Sequence, residues 1–406
     1  MTTQTSHPWA ARLQAILLVL LMAMPYIQRV NRLFPESPLW GSEPPPPRPV
    51  LSVTNWFNGS FSPASERYMA YKIGFRGHGV KLQNQINYSL FRRATGTKGT
   101  PITLGREGWI YETEYVKRYV SRAGMHAADR ARFVADVKAL QQALQKRGIL
   151  FALVIAPSKA EIIPDYLPAA IIAEREARQA PNAYELLIKP LQKSGIRVID
   201  GHAYFKELHE QGVPDLFPRG GTHWSYAGCF RFARHLIEQL QPALPDALRL
   251  PELSEGPRLP AQGTDRDLAS ILNLFVCDAR DDLLPYPDMV GEPLPMAQRP
   301  DILLVGDSFV FTLCDALNRA RVARQTDLLY YFRRIYNYPT EDVERYLLNH
   351  VSYAGPVLHP NEFDWERYLM NRELVLLEIN EIMLPDGGWG FVPHALAYLR
   401  SLPLVE

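Results

Sequence analysis

Apolar positions along the chain follow two alternating rhythms. In the stretch ADRARFVADVKALQQALQKRG (128–148), Phe133, Val137, Leu140 and Leu144 recur at spacings of four, three and four, and Gly148 supplies a helix stop. That is one face of a 3.6-residue helix. The next residues, ILFALVI (149–155), are continuously apolar, as expected of a strand covered on both faces. A second helix over roughly 183–193 stops at Gly195 and feeds the strand IRVID (196–200). DILLV (301–305) predicts a third strand followed by a helix through Arg319, and LLYYF (328–332) and LVLLEI (374–379) predict two more. Helices alternating with buried strands predict an α/β fold, a three-layer α/β/α sandwich around a mostly parallel sheet.

Ahead of this body the pattern changes. Ala15 to Ile27 carries no charge, but thirteen helical residues span only about 20 Å against about 30 Å of bilayer core. Extending the helix back to Trp9 brings in Arg12. The segment has signal-peptide or signal-anchor length, and without an A-x-A cleavage site it reads as an uncleaved anchor. Arg29, Arg32 and Arg48 lie after it while Arg12 precedes it, a bias that does not favour export of the C-terminal part. EPPPPRP (43–49) predicts a polyproline II spacer. GVKLQNQINYSLFRR (79–93) predicts a helix with Val80, Leu82, Ile86 and Leu90 near one face. The expected division is a membrane segment at 1–36, a Pro-rich linker with a helical extension at 37–100, and an α/β domain at 101–406.

Composition narrows the function. Lys+Arg 44 against Asp+Glu 43 leaves a net charge of +1, which argues against a dedicated nucleic-acid binder. With 47% hydrophobic and 21% charged residues the chain is of globular type rather than disordered. Cys229, Cys277 and Cys314 have no CxxC spacing and read as buried apolar thiols. No metal-ligand spacing such as H-E-x-x-H appears, so neither a metal nor another cofactor is expected.

In open sheets of this kind, ligands sit beyond the carboxyl ends of the strands, and two motifs lie there. Gly306-Asp307-Ser308-Phe309 follows DILLV directly. A strand, a tight turn and a helix would set Ser308 at the positive end of a helix dipole, with its N–H facing an oxyanion; the plainer alternative is a helix N-cap. Gly220-Gly221-Thr222-His223-Trp224-Ser225 precedes the helix YAGCFRFARHLIEQL, with Ser225 as its N-cap. His223 would take a proton from a serine hydroxyl, or simply bond the loop. The 85 residues between His223 and Ser308 leave room for crossovers that return the chain to the same sheet edge.

This ordered pair of motifs resembles the alginate O-acetyltransferase family with its SGNH-hydrolase-like domain. Gly105-Arg106-Glu107-Gly108-Trp109-Ile110-Tyr111 is similar to its G-x-x-G-W-[LI]-[FY] motif, and Ala156-Pro157-Ser158-Lys159 to its P-x-K turn. Asp267-Leu268-Ala269 resembles its D-L segment between the His and Ser motifs. The resemblance implies an SGNH-hydrolase-like sandwich at a bacterial inner membrane facing the periplasm, or in the periplasm. It implies transfer of acetyl groups to polysaccharide hydroxyls through an acetylated Ser308, with His223 as general base. The acetyl donor would be handed on by a membrane acyltransferase. An esterase or deacetylase on the same scaffold, or a non-catalytic glycan-binding assembly subunit, are the alternatives. One position departs from the family's Asp-x-His: Gly221 stands where the acid belongs. Asp215 is the expected substitute, with Asp200 or a backbone carbonyl as alternatives. Asp307 would hold the turn, Arg219 would bind an anionic group or pair with a carboxylate, Tyr336 and Asn337 would donate to the oxyanion, and Lys159 would assist in substrate binding.

Overall fold

The computed structural model describes residues 8–94, 96, 101–122, 124–338, 352–356 and 363–403. These form two compact units: one of residues 1–101 with 270–277, the other of residues 102–269 with 278–406.

The larger unit is built on a seven-stranded sheet. In chain order its strands are β1 (Leu150–Ala156), β2 (Val198–Asp200), β3 (Asp301–Gly306), β4 (Gln325–Tyr330), β5 (Arg334–Tyr338), β6 (Ser352–Pro356) and β7 (Leu374–Asn380). Across the sheet they run β6-β5-β4-β3-β7-β1-β2. The five strands from β4 to β2 are parallel, while β5 and β6 add an antiparallel edge. Helices α1 (Ala127–Gln145), α2 (Ala183–Lys193), α3 (Gly201–Glu210), α4 (Tyr226–Leu240), α5 (Val310–Arg319) and α6 (Phe391–Ser401) complete the sandwich.

Strand periodicity builds the layers. Along β7, Leu374 and Leu376 face a core with Phe230, Phe232 and Leu236 of α4 and Leu313 of α5. Their neighbours Val375 and Leu377 face a second core with Val137 and Leu140 of α1, Leu187 of α2 and Ala395 of α6. A period of two thus puts apolar residues on both faces, and all seven β7 residues are buried. Cys229, Cys277 and Cys314 are all buried and, among the described residues, form no disulfide.

The reading of LLYYF changes. LLYYF was expected to run to residue 332, but β4 ends at Tyr330, and Tyr331 and Phe332 turn with φ of 50° each. That turn reverses the chain into β5, whose alternation of Arg, Ile, Tyr, Asn and Tyr is half polar because it lies near an edge.

In the smaller unit, the N-terminal helix covers Pro8–Asn31, longer than the uncharged core of the segment. Its Ala11–Asn31 portion, 21 residues, is apolar enough to cross a membrane, and at 1.5 Å per residue it spans about 32 Å. The expected 79–93 helix forms over Arg76–Phe91, but its Leu82, Ile86 and Leu90 are exposed. Asn84 in that helix donates to the Leu272 carbonyl at 2.8 Å, and Asn273 accepts from the Trp40 N–H at 2.8 Å.

Candidate active site

β3 ends at Gly306, level with Glu378 of the neighbouring strand β7, and the turn 306–309 leads into α5. Gly306 has no room for a side chain: a Cβ there would lie 2.3 Å from Val310 Cγ1 and 2.5 Å from Glu378 Oε2. Asp307 is buried and ties the turn together. Its carboxylate accepts from the N–H groups of Phe309 and Asn380, each at 2.9 Å, while its own N–H donates to Glu378 Oε2 at 3.0 Å. Burial raises the pKa of both carboxyls, and the charge of Asp307 pushes Glu378 further up, so that Glu378 is the protonated member. Asp307 therefore shapes the turn rather than meeting a substrate.

The rigid turn presents Ser308, whose Oγ lies 2.7 Å from His223 Nε2. His223 comes from the 220–225 loop, fixed by Ser225, which caps α4 through the Gly228 N–H at 2.8 Å. The imidazole packs against the Phe309 ring at 4.8 Å between centroids. Its Nδ1 lies 2.6 Å from Asp267 Oδ2. The other oxygen of Asp267 accepts from the Thr222 N–H at 2.9 Å and the Leu268 N–H at 2.6 Å, which fixes the carboxylate plane. Burial alone would lower the His223 pKa. The adjacent Asp267 charge and hydrogen bond, with the charges of Asp307 and Glu112 behind them, outweigh burial and raise it above the ordinary value. A hydroxyl, an imidazole and a carboxylate in line have the geometry by which an oriented base can activate a nucleophile.

The expectation for Asp215 is corrected. Its carboxylate pairs with Arg258 at 2.8 Å, and its carbonyl accepts from the Ser225 hydroxyl. Asp200 is occupied as the N-cap of α3 and as acceptor for Tyr184. The place of the missing acid is closed for a steric reason: a Cβ on Gly221 would lie 2.3 Å from the Thr264 carbonyl oxygen and 2.9 Å from Pro218 Cγ. The turn at Gly263–Arg266 packs onto Gly221 and delivers Asp267 to the ring instead.

Three more expectations change. Lys159 is buried, and its ammonium donates to the carbonyls of Pro218 (2.6 Å), Ile110 and Gly221 (2.8 Å each) and Arg219 (3.0 Å). An ammonium has three protons, so four carbonyls leave none for a substrate; Lys159 pins the approach to His223. Tyr336 and Asn337 stand on β5 opposite Leu328 and Asp327, whereas Tyr330 is the β4 residue level with Gly306. Asn337 is thus about 10 Å along the strand from that level, and its amide donates to Asp327. Arg219 grips Asp282 through two hydrogen bonds, at 2.7 and 2.5 Å, the carboxylate-pairing alternative.

Tyr331 has a place at the site that the sequence did not suggest. Its N–H donates to the Gly306 carbonyl at 2.8 Å and its phenol interacts with the Ser308 hydroxyl. Its ring meets Trp389 edge-on at 5.1 Å. Glu112 is a further unforeseen neighbour, accepting from the Thr222 hydroxyl at 3.3 Å; burial and the nearby Asp267 charge raise its pKa. Asp267 did carry a signal, the D-L segment between the two motifs.

Comparison with known proteins agrees with this fold. A family model described as the SGNH hydrolase-like domain of the acetyltransferase AlgX matches residues 102–322. The chain is 25% identical over 255 residues to the probable alginate O-acetylase AlgJ of Pseudomonas aeruginosa, covering 62% of this chain and 60% of that protein. To the AlgJ protein of Pseudomonas syringae pv. tomato it is 26% identical over 245 residues, covering 58% and 56%. The chain therefore spans between 56% and 60% of the length of these two curated relatives. Among solved structures, the O-acetyltransferase domain of Pseudomonas putida AlgJ superposes with a TM-score of 0.43 at 17% identity, over 74% of this chain and 99% of that one. Pseudomonas aeruginosa AlgX gives 0.42 at 16% identity, over 70% and 63%.

Proposed function

Because this chain belongs to the family defined by the SGNH hydrolase-like acetyltransferase domain of AlgX, we propose that it is a serine-dependent O-acetyltransferase acting on polysaccharide hydroxyls. The observation that carries this reading is the line Ser308 Oγ–His223 Nε2 at 2.7 Å and His223 Nδ1–Asp267 Oδ2 at 2.6 Å. In the first step His223 Nε2 takes the Ser308 proton as Oγ bonds to the acetyl carbonyl carbon. The carbonyl electrons move onto oxygen, beside the Ser308 N–H at the start of α5, which has no acceptor among the described residues. Asp267 holds the imidazole in the tautomer with Nδ1–H and stabilises the cation that forms. As the carbonyl re-forms, the donor's leaving oxygen departs with the proton from Nε2. A sugar hydroxyl then loses its proton to Nε2 and attacks acetyl-Ser308; collapse transfers the acetyl group and returns the proton to Oγ.

The AlgJ relatives bear the name alginate O-acetylase, which supports an anionic polysaccharide as acceptor. The apolar Ala11–Asn31 helix supports a membrane anchor. Placing the site on the periplasmic side, where a membrane acyltransferase would hand on the acetyl group, rests on the resemblance to the alginate O-acetyltransferase family and not on the arginines that flank the helix. The test is mass spectrometry of the protein after incubation with an activated acetyl ester, followed by addition of oligosaccharide. Acetyl-Ser308 should accumulate, discharge to the sugar faster than to water, and be absent in Ser308→Ala. Unchanged transfer by Ser308→Ala refutes the reading.

A further inference from the structure

At the opposite end of β3 and α5 from Ser308 lies a cavity of about 280 Å³. It is lined by residues just before β3, at the end of α5 and in the 247–251 and 288–294 loops. Four arginines, Arg249, Arg299, Arg319 and Arg321, line it against two carboxylates, Asp288 and Glu292. Asp288 is engaged by Arg319 at 3.3 Å and by its neighbour's Met289 N–H at 2.9 Å. Glu292 offers Arg249 its backbone carbonyl, at 3.0 Å.

Arg299 and Arg321 stand differently. Arg299 Nε donates to the Leu294 carbonyl at 2.7 Å, and among the described residues neither guanidinium has a carboxylate in ion-pair range. They feel each other instead: burial first, and the Arg321 charge second, lower the pKa of Arg299. Two like charges share one cavity wall, and an oxyanion between them would offset their repulsion. The planar guanidinium fork matches carboxylate and phosphate geometry alike. A cavity near the lower end of the ligand-pocket range fits a group of about one sugar.

We propose that this cavity is an anion-binding site that takes a carboxylate or phosphate group on a small, sugar-sized ligand, with Arg299 and Arg321 as its principal contacts. The α5 helix, ten residues and so about 15 Å long, separates it from Ser308, and the proposal does not rest on the serine chemistry.

The experiment is isothermal titration of the full chain in detergent with glucuronate, inorganic phosphate and glucose, each to 10 mM, at low and at high salt. Glucuronate, phosphate or both should bind, more weakly at high salt, and glucose should not. Binding of glucuronate alone assigns the carboxylate, binding of phosphate alone the phosphate, and binding of both a general oxyanion site. Arg321→Gln, an exposed position, and Arg299→Gln should each weaken binding at least tenfold, while Ser308→Ala should bind as the parent does. No heat from either anion, equal binding of glucose, or full affinity in both arginine variants overturns the proposal. Unchanged acetyl transfer by Ser308→Ala, with anion binding intact, would refute the catalytic reading alone.

Discussion

A serine hydroxyl is a weak nucleophile at neutral pH, so on the proposed reading the base beside Ser308 and the group that steers that base govern the rate. Asp267→Asn keeps the shape but favours the wrong imidazole tautomer, and kcat for acetyl transfer should fall about 10⁴-fold. Asp215→Asn, which loosens only a pair with Arg258, should leave kcat within about twofold; equal losses in the two variants would contradict the assignment of the acid. His223 must be neutral to accept a proton, and its pKa is raised above 6.5. The rate should therefore rise with pH to a midpoint above that value, and the midpoint of kcat/KM should move down in Asp267→Asn. The same raised pKa stabilises the fold below about pH 6.5, and that contribution fades as pH climbs through the shifted value. Restoring an aspartate at position 221 should not help: its Cβ would strike the Thr264 carbonyl, so Gly221→Asp should lower Tm without gaining activity.

At the scale of elements, the β3–α5 turn depends on its neighbour β7. Glu378 is wholly buried and sits beside Asp307. Its carboxyl pKa is raised, so the stability it lends is present below the unfolded value of 4.5 and is lost as pH rises. Glu378→Gln, which cannot ionise, should gain stability relative to the parent at pH 9 compared with pH 5, as read by denaturant midpoints; a pH-independent difference would contradict a protonated Glu378. Within β7, Leu376→Ala removes a wholly buried side chain from between strand and helices and should cost about 2–5 kcal/mol. The apolar runs showed where β1, β3 and β7 lie because strands covered on both faces tolerate little else. They misplaced the end of β4, since Tyr331 and Phe332 are as apolar as the strand before them. Only the close approach to Gly306 shows the chain turning there.

For the molecule as a whole, the apolar helix near the amino terminus has the length and composition to cross a membrane, a role that can be tested apart from the chemistry of the sheet. A charge at its middle, Leu20→Arg, should cost about 2.5–3.5 kcal/mol of insertion. The full chain should then shift toward the alkali-extractable fraction while the Ser308 site keeps its intrinsic rate. Retention in the membrane pellet would show that the helix is not what holds the chain there.

The order of helices and buried strands, and the pairing of a Gly-Asp-Ser turn with a distant His-Trp loop, were written in the chain itself. Periodicity and turn chemistry act over a few residues, and each motif falls directly after, or just before, an element that those local rules define. The identity of the acid was not local. Gly221 could be seen to lack a side chain, but Asp267 reaches His223 from 44 residues further on, and only the packing of the 263–266 turn onto Gly221 brings it there. Lys159 shows the reverse case. Its type suggested a ligand contact, and the surrounding carbonyls, gathered from two separate segments, made it a clamp.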